Sequence, residues 1–270
     1  MPKKLILLVL VAAAVLLPAA AAGAGGLDLA VSPGQVDIGL NFKGALLEIS
    51  GSAPPDSDIC LKVESPPGTI ALNRKGKVGP FWMTVDNVKV ENMPKIYEVF
   101  TSGSLAELSR GVKDRMEIGN GYSYLKERAR VTRKHETGKE ELSPDEAGTY
   151  LDGLINIYEK KGYYIINEGA LKIENGRFRA AVQVPSGIPP GQTKITAYAV
   201  QGGRVVASKE FPLQVNSIGL VRWVRTEATA NGPFYGLIAV IVALVVGLAT
   251  GTFFNSLGRH KGARADSGAH

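Results

Sequence analysis

Twenty-two consecutive residues, from Pro233 to Phe254, carry no charge. As a helix such a run is about 33 Å long, enough to cross a hydrocarbon core of about 30 Å with slight tilt. Aromatic residues stand near both ends, Trp223, Phe234 and Tyr235 on one side and Phe253 and Phe254 on the other, as membrane–water interfaces favour. The alternative is the buried core helix of a soluble protein. A charge-free run of this length followed by only 16 residues, 255–270, argues for a span.

A second apolar run opens the chain. Lys3 and Lys4 precede an unbroken stretch from Leu5 to Leu17, then Pro18 and a string of alanines. Basic start, short apolar region and small residues at Ala20, Ala22 and Ala24 are the pattern of a secretory signal over 1–24. The stretch is shorter than the ~20 residues a span needs, although an uncleaved anchor is the alternative reading. No cysteine follows it, so a lipid-anchored lipoprotein is not expected. Cleavage leaves 25–216 outside the cell membrane, 217–232 as a juxtamembrane segment and 233–254 as the transmembrane helix. The tail 255–270, with Arg259, Lys261 and Arg264, then lies in the cytoplasm, as the positive-inside rule prefers. Arg222 and Arg225 on the outer side weaken the charge argument, so the signal decides the orientation. The expected location is the inner (plasma) membrane.

The two ends also explain the charge. The chain has 31 basic and 25 acidic residues, net +6. Without Lys3, Lys4, Arg259, Lys261, Arg264 and Asp266, 26 basic and 24 acidic residues remain. The outer part is near neutral, and a nucleic-acid partner is not indicated.

The outer part reads as mainly β. Val36–Leu40, Ile59–Glu64 and Phe81–Val90 alternate in polarity. Pro-Gly, Pro-Pro and Asn73-Arg74-Lys75-Gly76 read as turn punctuation between them. Trp82 is expected as a core anchor at the start of a strand, with an aromatic ligand site as the alternative. From Ser104 the pattern turns helical. Leu105, Leu108 and Val112 recur at helical spacing. The run Lys126, Arg128, Arg130, Arg133, Lys134 reads as a solvated helix face, or as a surface for anionic headgroups or an acidic partner. Ser143-Pro144-Asp145-Glu146 is a helix start with a capping box. That helix is expected to bury Tyr150, Leu151, Leu154, Ile157 and Tyr158 and to end at Gly162. Two hairpins follow, turning at Asn175-Gly176 and Gly202-Gly203. The expected fold is an immunoglobulin-like β-sandwich, 25–216, with a helical insertion over 104–162 and one C-terminal transmembrane helix. Two separate small domains are the alternative. Ile218, Val221 and Val224, spaced by three, suggest a short interfacial helix before the span.

Reactive chemistry is sparse. Cys60 is the one cysteine, so no internal disulfide can form. Alternation sets it beside Lys62 and Glu64, where a passive half-buried thiol is expected, an intermolecular disulfide being the alternative. His135 lies in a charged run, and His260 and His270 lie in the tail, too few for a zinc or copper site. The carboxylates Glu136, Glu140, Glu141, Asp145 and Glu146 crowd a helix start, which explains them without catalysis. No nucleophile elbow or phosphate loop occurs. No catalytic, cofactor-binding or metal-ligating residue is assigned, and no cofactor is expected. The membrane run itself offers more: Gly232 and Gly236, then Gly247, Thr250 and Gly251, have the small-xxx-small spacing that lets a second helix approach closely. Ordinary glycine content of membrane helices is the competing explanation.

Several segments in order resemble a bacterial family of transmembrane proteins of unassigned function, catalogued mainly from alphaproteobacteria. They are Val36-Asp37-Ile38 leading to Asn41-Phe42-Lys43-Gly44, then Gly79-Pro80-Phe81-Trp82-Met83 and Pro94-Lys95-Ile96-Tyr97. Gly176–Ala180, Val184–Gly191, Gly219–Trp223 and Tyr235-Gly236 continue the likeness. Where the family usually has a tyrosine after the Pro-Pro-Gly turn, this chain has Gln192-Thr193-Lys194. The resemblance carries no catalytic residue to any position. It implies an accessory role beside transporters of the sulfite-exporter type. The expectation is therefore a non-enzymatic envelope accessory protein whose helix docks a polytopic membrane protein, with homo-oligomerisation left open. The alternatives are an adhesion or structural module merely anchored by its helix, and an enzyme with an unrecognised site.

Overall fold

The computed structural model describes residues 26–135, 138–230 and 232–262. The signal segment therefore lies outside the described residues. The chain divides into two compact units: one holds Lys43–Val215 with the chain up to Val36, the other Asp37–Phe42 and the chain from Asn216 onward.

The mainly β character expected from alternation is what the structure shows. The strands run in order β1 (Ala30–Ser32), β2 (Gln35–Ile38), β3 (Gly44–Ser52), β4 (Asp58–Glu64), β5 (Pro67–Val78), β6 (Phe81–Pro94) and β7 (Tyr97–Thr101). A 3-10 turn at Leu105–Glu107, α1 (Arg110–Arg115), α2 (Ser123–Arg128), β8 (Arg130–His135), β9 (Gly138–Glu141) and α3 (Pro144–Lys160) follow. Then come β10 (Tyr164–Asn167), β11 (Lys172–Glu174), β12 (Arg177–Pro185), β13 (Gly191–Gln201) and β14 (Arg204–Ser217). The second unit adds α4 (Gly219–Ala230) and α5 (Gly232–Gly262).

Among the described residues the strands form three sheets, ordered β1-β3-β12-β11, β10-β7-β4-β13-β14-β2 and β5-β6-β8-β9. The first two join early strands to late ones: β3 pairs β12 from Gly44–Pro185 to Ser52–Arg177, and β4 pairs β13 with Cys60 opposite Tyr198. Both hairpin turns form as their sequence demands. Asn175 and Gly176 have φ of 52° and 69°, Gly202 and Gly203 of 55° and 71°, the left-handed pair of a type I′ turn.

Strand β4 is buried on both faces, which alternation alone did not reveal. Ile59, Leu61 and Val63 point one way; Cys60, Lys62 and Glu64 point the other and are buried too. The second face is covered by the segment between β7 and β10. One core cluster joins Cys60, Tyr97, Val99 and Tyr198 of the six-stranded sheet to Val112, Leu125 and Leu154 of the helices and to Val88, Val90 and Val131 of the third sheet.

That segment departs from an all-helical insertion. Arg130–His135 is a strand, paired to Val88–Glu91 of β6, and Val131 is buried beneath it. The basic run therefore breaks after Arg128 instead of lining one helix face: Arg130 and Arg133 find carboxylate partners on neighbouring elements, and such pairs stabilise a charged strand. Asn73–Gly76 is likewise no turn but lies inside β5, whose partner β6 runs alongside to the tip.

Helix α3 follows its sequence signals closely. The Ser143 hydroxyl accepts from the Glu146 amide. At the other end Gly162, at φ 67°, donates to Glu159 and Tyr163 donates to Tyr158, the two bonds of a Schellman motif. Its buried face is Leu151, Leu154, Ile155 and Tyr158. Ile157 is exposed, because at 100° per residue it falls about 60° beyond the Leu154 edge of that stripe.

Candidate functional site

Helix α5 carries the feature that most limits what the chain can do. Pro233 sits in its first turn, where a missing N–H costs nothing. From Gly236 to Asn255 the mean hydropathy is 2.6 and no side chain is buried by the rest of the chain. Leu237, Leu244, Leu248 and Phe254 are all more than half exposed. In water such a surface would be costly, since each fully buried Leu or Phe is worth about 1.5–3 kcal/mol; in a bilayer it is the ordinary state.

Within this helix several small residues share one side. Eleven residues separate Gly236 from Gly247, three turns plus about 20°. Ala243 and Thr250 lie within about 60° of that line, and Gly232 and Gly251 flank it. A Cβ built at Gly236, Gly247 or Gly251 meets nothing within 4 Å, so none of the described residues fills the space beside these glycines. The Thr250 hydroxyl donates to the Val246 carbonyl at 2.7 Å, and Thr252 donates to Leu248. Thr250 therefore has only its oxygen lone pairs left to offer a neighbouring helix, as an acceptor.

Residues 26–256, from the start of the described β region through the apolar span, match the family described as "putative transmembrane protein (Alph_Pro_TM)". The chain belongs to this family. As a member of that transmembrane family it is a membrane protein, and among the described residues α5 is the one helix long and apolar enough to span. No curated protein and no solved structure matches the chain. Of the second unit's other elements, α4 is the short helix expected before the span. Leu220 and Trp223 are exposed on it while Val221 and Val224 are half-buried. Its start is fixed locally, by Gly219 at φ 57° and by the Ile218 amide donating to the Ile38 carbonyl.

The β-rich unit of this family member holds two ionic clusters that sequence reasoning did not assemble. In the first, the Lys62 ammonium, 1% exposed, lies 2.8 Å from Glu117 and 3.4 Å from Glu64. Arg128 reaches Glu64 at 3.4 Å and stacks over Tyr124, its guanidinium 5.1 Å from the ring centre. Glu117 holds a left-handed backbone, φ 57°, its carbonyl accepting from the Tyr97 hydroxyl. The Lys62 hydrogen bond holds the Glu117 carboxyl below its ordinary value. Two cations and two anions thus balance one another, and they tie α2 and the loop after α1 onto β4. The signal for this cluster was present as Lys62 and Glu64 in an otherwise apolar strand. Their partners, 55 to 64 residues away, were not legible.

In the second cluster Arg133 clasps Asp86 with two nitrogens, at 3.0 and 2.9 Å, and the Tyr150 hydroxyl donates to the same carboxylate. The Arg133 bond holds Asp86 below its ordinary value. Tyr97, Tyr122, Tyr158 and Tyr164 pack against one another with ring centres 5.2–6.2 Å apart, Tyr97 edge-on to Tyr122 and Tyr158 edge-on to Tyr164. Burial raises all four phenols, so they act here as neutral hydrogen-bonding walls.

The remaining candidates are dispersed. Cys60 is fully buried, more so than expected, and burial pushes its thiol up to about 12, which makes it inert. His135 closes β8; Glu136 and His270 lie outside the described residues. Glu140 and Glu141 lie on β9, Asp145 and Glu146 in the first turn of α3. Among the described residues no group of three His, Cys, Asp or Glu stands close enough to hold a metal ion. A concavity of about 740 Å³ is an open trough on the outer face of the β1-β3-β12-β11 sheet, lined by Glu48, Ser50, Arg177 and Arg179.

Trp82 stands apart from all of this. It is 74% exposed at the tip of the β5–β6 hairpin and anchors no core. Val78-Gly79-Pro80-Phe81 makes a two-residue turn there, with Gly79 at φ 60°. The aromatic residues follow the turn directly, beyond the reach of the third strand.

Proposed function

We propose that this chain is a non-enzymatic accessory protein of the cell envelope, whose β-rich unit recognises a partner and whose helix docks a polytopic membrane protein. The observation that carries this reading is the line of small residues on α5, Gly236, Ala243, Gly247 and Thr250, whose glycines meet no other described residue. In a bilayer, helices associate by close packing, and small residues in line let backbones approach. An anchor needs only apolar length. A transporter is the class of partner that the family resemblance points to. In this reading the N-terminal run serves as a secretory signal, with the β-rich unit outside and the basic tail in the cytoplasm of an inner-membrane protein. The two ionic clusters support a binding rather than catalytic unit, because each of their charges is neutralised by a partner.

The test is affinity purification of the tagged full chain from its native membrane in mild detergent. A stoichiometric polytopic protein is expected, and Gly247→Leu with Gly251→Leu should release it while the chain itself still inserts. Retention of the partner after that double change, or after exchange of 233–254 for an equally long leucine run, refutes docking and leaves an anchored module. A second copy of the same chain as the retained species makes the helix a dimerisation surface.

A further inference from the structure

The β5–β6 hairpin tip is a surface that neither the core nor the membrane helix explains. The strand β8 pairs with β6 only over Val88–Glu91. Beyond the pair Asn73–Asn87 the hairpin continues as a two-stranded ribbon to Val78–Phe81, about 17 Å further at 3.3 Å per residue. Two strands alone in water are marginally stable, yet this ribbon ends in Phe81 and Trp82, 70% and 74% exposed. Its geometry is set in advance. Gly79 at φ 60° followed by Pro80 forms a type II′ turn. Val85 packs over Gly76, where a Cβ would come within 2.8 Å of its methyl group. The Lys75 ammonium donates to Thr84 across the ribbon at 2.7 Å.

Charge selects the occupant. Residues 74–85 carry Arg74, Lys75 and Lys77 and no acid; the first carboxylate, Asp86, is already held by Arg133 and Tyr150. The register puts Lys77 beside Trp82 on one side of the ribbon and Val78 beside Phe81 on the other. A second copy would bring like charges together, and lysines along β5 discourage pairing of another strand at its edge. Aromatic and apolar residues at an apex with lysines just behind them are what a headgroup–acyl boundary accepts. The chain already spans a bilayer, so that surface is always at hand.

We infer that the Val78–Met83 tip inserts into the headgroup region of an anionic phospholipid bilayer, Trp82 and Phe81 entering the boundary and Lys75 and Lys77 meeting lipid phosphates. The test uses the full chain with Trp223→Phe, which leaves Trp82 as the sole tryptophan, in nanodiscs with and without phosphatidylglycerol. Trp82 fluorescence should be quenched by brominated acyl chains and protected from iodide when anionic lipid is present. Lys75→Gln with Lys77→Gln should lower the docked-to-free ratio by about 25-fold, roughly fivefold per charge. The difference signal between the unaltered chain and Trp82→Phe gives the same readout without touching Trp223. Iodide access with no bromine quenching overturns the inference. Iodide protection without bromine quenching, the signature of a protein covering the tip, overturns it equally.

Discussion

Glu98 gives the sharpest test of the fold. It lies on β7 opposite Val63 of β4 and Ile165 of β10, is 1% exposed, and neither carboxyl oxygen has a hydrogen-bond partner among the described residues. Burial alone pushes its acid from an ordinary 4.5 up to about 8. The folded chain therefore holds this proton more tightly than the unfolded chain does. The stability it contributes is fully present below about 4.5 and is lost as pH rises through 8. At 1.36 kcal/mol for each tenfold change in proton affinity the full loss is on the order of 5 kcal/mol. That is an upper bound, since water entry or side-chain rotation relieves a buried charge. Glu98→Gln keeps the shape and removes the ionisation. The assay is thermal or urea unfolding of the full chain in detergent, followed between pH 5 and 9. The unaltered chain should weaken steadily over that range, while Glu98→Gln should flatten the slope and gain at least 2 kcal/mol at pH 8.5, a cautious fraction of that bound. An identical pH slope in both proteins would refute the argument, because it would mean that Glu98 is solvated or paired in the native state.

Lys62→Met should destabilise the β-rich unit by about 3 kcal/mol in urea unfolding, since it leaves Glu64 without its ammonium partner in a buried setting. A smaller loss is expected from Arg128→Met, whose side chain is 37% exposed. Gly51→Ala should prevent folding or lower the midpoint sharply, because its Cβ would lie 2.0 Å from the Asp28 carbonyl oxygen, a backbone atom. Near-normal melting would show that the β1–β3 edge adjusts freely. Cys60 should resist thiol reagents at pH 8 in the native chain and react at once on unfolding. Labelling of the folded protein within minutes would contradict its burial.

What the sequence disclosed was local. The caps of α3 depend on Ser143 and Gly162, residues next to the helix they bound, and both I′ turns depend on two adjacent residues each. The apolar span depends only on length and charge. What it withheld was long-range. Nothing near Lys62 announces Glu117 or Arg128, so the face of Cys60, Lys62 and Glu64 read as half-buried when it was fully covered by an insertion. Trp82 illustrates the converse error: hydrophobicity alone made it a core residue, although β8 stops at Val88 and leaves the tip bare. Asn73–Gly76 read as a turn because of composition, but the chain reverses five residues later at Gly79-Pro80, where φ is positive. The helix groove of Gly236 and Gly247 was visible as spacing. The commitment of Thr250 to its own helix was not, because a hydroxyl's choice between an internal carbonyl and a neighbour leaves no mark in sequence.

The pairing of β4 with β13 sets a clock on biosynthesis. Cys60 must wait for Tyr198, 138 positions later, before the central ladder can close. At 5–20 residues per second that delay is roughly 7 to 28 s. Throughout it, the edge of β3 that β12 will cover and the edge of β4 that β13 will cover stay unpaired, although β1 and β7 already flank these strands on the other side, and an unpaired edge of this kind is open to aggregation. A nascent chain would spend that interval needing a holdase, and the membrane helix would leave the ribosome within seconds of the last strand that completes the sheet.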